Sequence, residues 1–214
     1  MEESTSKEKV LKAVREAIIS KTDQPFPKID PDKPVFREIQ ESPDIHFAQE
    51  LTAAGGNFIY CIDETEFLQG IRYLMSERKW DHIYALEPHV IELLERGNIP
   101  VVSDRDRFMQ AHTGMTGCEF LIARLGSVMV STGQQAGRRI FAYPENHIIL
   151  AYTSQIVPDI REALIRMRKK HERGMPSMIS LITGPSRTAD IEKTLVMGAH
   201  GPRELFVFLM EDRN

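Results

Sequence analysis

Residues 57–102 read NFIYCIDETEFLQGIRYLMSERKWDHIYALEPHVIELLERGNIPVV, and the alternation within this stretch decides the fold class. Asn57-Phe-Ile-Tyr-Cys61 is a short apolar strand, and Asp63 opens a helix with Phe67, Leu68, Ile71, Leu74 and Met75 at helical spacing. His82-Ile-Tyr-Ala85 is a second strand. Pro88 then begins a helix carrying Val90, Ile91, Leu93 and Leu94, which Gly97 stops before the strand Ile99-Pro-Val-Val102. Repeated βα units of this kind predict an α/β protein: a Rossmann-like layered sheet, at least partly parallel, with helices on both faces.

Working outward, a helix through Phe47 and Leu51 ends at Gly55-Gly56. Further upstream, Ser4 or Thr5 caps a helix whose apolar positions are Val10, Leu11, Val14 and Ile18. Lys21 to Pro43 holds five prolines, which fix φ and remove donors, so this is extended connector rather than packed core. The chain thus divides into an N-terminal helix and Pro-rich arm, 1–44, and an α/β domain, 45–214. The arm docks on its own domain or meets a partner. Downstream the pattern is less regular. Glu119 to Ala123 is short and apolar, Gly126 marks a turn, and strands are predicted at 127–131, 147–152, 178–182 and 204–209. A helix from Pro158 through Ile160, Leu164 and Met167 ends in the basic run Arg166 to Arg173, where cations suit the negative end of the helix dipole.

The 214 residues are 42% hydrophobic and 27% charged, which excludes fibrous and wholly disordered classes. A net charge of -4 does not point to nucleic acid or an anionic membrane. The charge is uneven: residues 1–110 carry 14 basic and 21 acidic side chains, and residues 111–214 carry 13 and 10. The cationic half suits a small anionic metabolite or an acidic partner, although an uneven spread of surface charge gives the same count. Two isolated cysteines, Cys61 and Cys118, offer no disulfide framework, zinc knuckle or cluster-ligand set, and no metal-ligand spacing is evident among the histidines. A charged N-terminus without an apolar stretch, and no long apolar run elsewhere, predict a reduced, cytoplasmic protein without a membrane span.

Three loops can carry chemistry. Thr183-Gly184-Pro185-Ser186-Arg187-Thr188 follows a strand and reads as a helix start, where free N–H groups, hydroxyls and a forked guanidinium suit a carboxylate or phosphate. Equally, Ser186 or Thr188 can be a plain N-cap. His200-Gly201 places an imidazole between glycines, and Thr132-Gly133 lies in the loop Ser131 to Arg139, which follows a strand and offers small residues, hydroxyls and two arginines. Glu119 can act as a carboxylate nucleophile or base, although an acidic residue before an apolar segment is commonly a helix-start residue. No residue is singled out as catalytic. There is no GxGxxG fingerprint, Walker motif, GxSxG elbow or HExxH pair.

Ile182-Thr-Gly-Pro-Ser-Arg-Thr-Ala-Asp-Ile-Glu192, then Val196, Gly198 and His200-Gly-Pro202, resembles the signature of the LUD-domain, or lactate-utilization, proteins. Ala123, Gly126-Ser127-Val-Met-Val-Ser131, Pro144, His147-Ile148 and Ile156-Val-Pro158 follow the family's order over about residues 45–210. Within the family the chain is most similar to the short C component. The resemblance implies the fold class of CoA transferases, ribose-5-phosphate isomerase (NagB/RpiA-like) and 5-formyltetrahydrofolate cyclo-ligase. It implies a role in a cytoplasmic system oxidising L-lactate to pyruvate, as an accessory or small-carboxylate-binding subunit, with iron–sulfur clusters in partner proteins and no cofactor in this chain. The same fold class leaves open an independent enzyme or binding protein for a phosphate- or CoA-bearing metabolite. One departure is Arg124, where many relatives carry an acid. Any contact that acid makes to ligand or metal is lost here.

Overall fold

The computed structural model describes residues 5–20, 38–188 and 196–212. The Pro-rich segment lies mostly outside these residues, as does the stretch after Thr188. The chain separates into two units, Met1–Glu38 and Ile39–Asn214. In the first, helix α1 (Ser6–Ile19) starts at Thr5, whose hydroxyl accepts the Glu8 N–H while the Glu8 carboxylate accepts the Thr5 N–H. Such a reciprocal cap satisfies two donors that the first turn leaves open. Its stripe Val10, Leu11, Val14 and Ile18 is exposed.

The second unit contains helices α2 (Pro43–Ala53), α3 (Glu64–Arg78), α4 (Pro88–Arg96) and α5 (Ile160–Lys170). Strands β1 (Asn57–Cys61), β2 (Ile83–Tyr84), β3 (Val101–Val102), β4 (Thr113–Thr116), β7 (Asn146–Tyr152) and β12 (Glu204–Met210) form the main sheet. Its order is β1-β12-β7-β4-β2-β3, and every pairing is parallel. A second sheet runs β8-β5-β6-β9, from Ile156–Val157, Phe120–Ile122, Ser127–Ser131 and Ile179–Ile182. Arg187–Thr188 (β10) and Val196–Met197 (β11) pair as a small antiparallel ribbon.

Local chemistry accounts for the element ends. The Asp63 carboxylate caps α3 by accepting the Glu66 N–H at 2.9 Å, and Asp159 does the same for α5 with Glu162 at 3.0 Å. Pro88 opens α4 and Gly97 closes it. Alternation along β12 sends Leu205, Val207 and Leu209 to one face of the main sheet and Phe206, Phe208 and Met210 to the other. The second set packs under α3 and α4 with Phe67, Ile71, Val90 and Leu94. The first set packs with Phe47 and Leu51 of α2 and with Leu121, Val128 and Val130 of the second sheet. Helices therefore cover both faces, as the sequence predicts, but a small sheet shares one of those faces with α2. The outer side of that sheet holds Ala163 and Met167 of α5.

Glycine is required at Gly126, the turn between β5 and β6. It has φ +56°, and a Cβ there would lie 2.1 Å from the Leu51 backbone nitrogen. Only a residue without a side chain lets this turn pass beneath α2.

Candidate functional site

Parallel strands end together, and loops leaving their C-terminal edge are well placed to hold ligands. Here the ends of β2, β4 and β7 meet the ends of β6 and α5 around a cleft of about 280 Å³. Its floor is Glu119, the last residue of the three-residue link Gly117-Cys118-Glu119 between β4 and β5, with its side chain only 1% exposed. Oε1 accepts the Ser131 hydroxyl at 2.5 Å, and Oε2 accepts the Lys170 ammonium at 2.6 Å. His171 Nε2 lies 3.6 Å from Oε1, too far for a hydrogen bond, and has no other partner although it is shut away from solvent. Ser131 is itself held by the Gly133 N–H at 2.9 Å.

A second carboxylate, Glu87, forms another wall. It accepts the Gly117 N–H at 2.6 Å and the Gln134 amide at 3.4 Å, tying the β2–α4 loop to the loops after β4 and β6. Gln155 donates to the Cys118 carbonyl at 2.7 Å and closes the far side with Tyr152. Burial alone would push the Glu119 carboxyl upward. Hydrogen bonds from Lys170 and Ser131, together with the positive charge of Lys170, outweigh it and hold Glu119 below the usual carboxylate range, and a protonated His171 would act in the same direction. Cys118 is the reverse case: burial, then the charges of Glu119 and Glu87, push its thiol up. Lys170 is half exposed, so the cleft presents a solvent-accessible ammonium over a buried, ionised carboxylate. That arrangement can grip a small anion and move a proton, with Ser131 and the Gly133 backbone fixing Glu119 in place.

Residues 46–210 match the LUD domain family. The chain belongs to this family. Among relatives, "Lactate utilization protein C" of Geobacillus thermodenitrificans is 31% identical over 168 residues, 77% of this chain and 67% of that protein. The protein of the same name in Bacillus subtilis is 38% identical over 106 residues, 49% of this chain and 44% of its own length. Much of the second relative, and a third of the first, lies beyond the match. A DUF162 family protein from Deinococcus radiodurans shares the fold, with a TM-score of 0.60 at 18% identity over 78% of this chain and 96% of the other.

The LUD domain distributes the sequence-predicted residues over two places. Val128 pairs with Ile182 and Ser131 with Ile179, so Thr183 and Thr132 leave opposite ends of the β6–β9 ladder, roughly 17 Å apart along the strand. Gly133 lies in the cleft, where a Cβ would stand 2.8 Å from His171 Cε1. Thr132 instead hydrogen-bonds Ser177 at 3.2 Å. At the other end, Thr183 meets Ser127 at 2.6 Å. Gly184 has φ +69° and passes against the Ala54 carbonyl, which the Arg187 guanidinium also caps. Arg187 thus closes the C-terminal end of α2, and Arg187–Thr188 is strand rather than the expected helix start. Ser186 bonds the Pro202 carbonyl at 2.8 Å, with Gly201 packed against it, so 184–188 and 198–202 do come together. His200 is exposed in the bend that follows β11. Sequence reasoning set Glu119 aside and read Lys170 and His171 as a dipole-favoured basic run. Glu87 drew no attention as a site residue, and Ser131 entered only as the first residue of the candidate loop 131–139. The available signal was an acid placed directly before a buried strand with no helix to cap.

Proposed function

We propose that this LUD domain is the small-carboxylate-binding component of a lactate utilization system, serving the oxidation of L-lactate to pyruvate beside partner proteins that carry iron–sulfur clusters. The observation that carries the reading is the cleft at the C-terminal edge of the parallel sheet, with the Lys170 ammonium standing over buried Glu119. Its volume is ample for a three-carbon acid, and a half-exposed ammonium is a suitable carboxylate grip. The names of the two relatives support the metabolic setting. Placing the clusters in partners rests on the cysteines. Cys61 and Cys118 sit in separate core clusters, and burial, then Glu66 and Asp63, pushes the Cys61 thiol up to about 11, so neither is poised as a thiolate ligand.

Calorimetric titration with L-lactate and pyruvate tests the reading. Binding is expected in the unaltered protein, at least tenfold weaker in Lys170→Met, and unchanged in Arg187→Ala. Loss in Arg187→Ala with Lys170→Met unaffected would move the site to the 184–188 turn, and no binding at all would refute the reading. Recovery of iron and labile sulfide with the affinity-purified chain tests the partner assignment.

A further inference from the structure

The charges around the cleft do not balance for an anionic ligand. Glu87 and Glu119 supply two carboxylates, both buried, against the single ammonium of Lys170. The adjoining hollow, which shares His89 and Tyr152 with the cleft, is lined by Asp63, Glu64, Glu92, Glu211 and Asp212 and adds negative potential, with Arg96 already spent on Glu64. A carboxylate entering this space meets a net negative field unless a positive charge appears with it.

His171 is the group placed to supply that charge. It sits at the end of α5, where the helix dipole favours a cation, and its Nε2 faces Glu119 Oε1 without a hydrogen bond. The other groups facing it are Lys170 on its own helix, Glu119 before β5, Ser131 and Gly133 after β6, and Glu87 and Cys118 across the cleft. Glu172 and Arg173, next along its own turn, are exposed. Glu87 is turned away from this role, because both of its oxygens are taken up by N–H donors of the surrounding loops. His89 is exposed at the mouth. We propose that the cleft takes up a proton at His171 together with each 2-oxo or 2-hydroxy carboxylate it binds, so that the ligand rests between the imidazolium and the Lys170 ammonium. This rests on the carboxylate-binding reading above. Proton and anion then tighten each other's binding reciprocally.

The test is calorimetry with sodium pyruvate and sodium L-lactate on the full chain from pH 6 to pH 8.5, in two buffers of different ionisation enthalpy. Affinity is expected to weaken as pH rises, approaching tenfold per unit, with up to one proton taken up per ligand. His171→Asn abolishes both the slope and the buffer dependence, while His89→Asn keeps them. The His171 Cε1–H resonance gives a readout in the unaltered protein: pyruvate at pH 7.5 moves it to the protonated position. Binding that is flat with pH overturns the coupling and leaves the carboxylate site standing. A slope that survives in His171→Asn, or an unmoved resonance, assigns the proton elsewhere and overturns the proposal. Failure to bind either acid at any pH overturns both readings.

Discussion

His147 lies on the central strand β7, wholly buried, with Nε2 sharing a 2.9 Å hydrogen bond with the Thr116 hydroxyl and Nδ1 without a partner. Burial lowers its affinity for a proton, from an ordinary value of 6.5 to about 3. The unfolded chain therefore binds a proton at His147 that the folded chain refuses. Stability from this residue is complete above the unfolded value and is lost as pH falls below it. At pH 5 the folded imidazole is still neutral while the unfolded one is protonated, so folding loses ~2 kcal/mol relative to pH 8. Urea denaturation at pH 8 and pH 5 of the unaltered protein and of His147→Gln, which can still pair with Thr116, isolates the effect. Other titrating groups are common to both proteins and cancel in the difference. The unaltered protein should lose ~2 kcal/mol more than the variant on going to pH 5. Equal losses in the two proteins would refute the account of His147 as a neutral core residue.

Gly126→Ala forces a left-handed residue against the α2 backbone, so strain of ~1–2 kcal/mol and overpacking of ~1–3 kcal/mol should combine to lower Tm by roughly 4–20 °C. Gly137→Ala, also at positive φ but in open space, should cost only the strain, and equal shifts in calorimetric Tm would contradict the steric explanation. Gly133→Ala pushes the His171 ring out of place and should weaken pyruvate binding about tenfold, roughly 1.4 kcal/mol, in a titration at pH 6.5. Binding as tight as in the unaltered protein would separate His171 from the ligand.

Where residues carry their own periodicity and caps, the fold was legible. Asn57–Cys61 matches β1 residue for residue, and Asp63, Pro88 and Gly97 mark helix ends where the sequence places them. β4 was missed because Thr113-Gly-Met-Thr116 has one apolar side chain and a glycine, and its burial comes entirely from β7, β2 and the segments around them. The second sheet was hidden for a related reason: two-residue β8 has no pattern of its own. The cleft was illegible because its charges come from distant elements, Lys170 meeting Glu119 across 51 residues. A buried acid and a basic helix end each have an ordinary explanation when read alone. The 184–188 turn attracted attention because its composition suits anions, yet Arg187 is occupied with the Ala54 carbonyl.

The place of β12 in the sheet has a consequence for synthesis. It lies between β1 and β7, and the Asn57 side-chain amide reaches the Leu205 carbonyl 148 residues along the chain. During translation β1 has no strand partner and β7 keeps one edge unpaired until β12 leaves the ribosome. The nascent chain is therefore exposed to chaperones and to wrong strand partners from the synthesis of β1 until that of β12, and the sheet closes only once β12 is available.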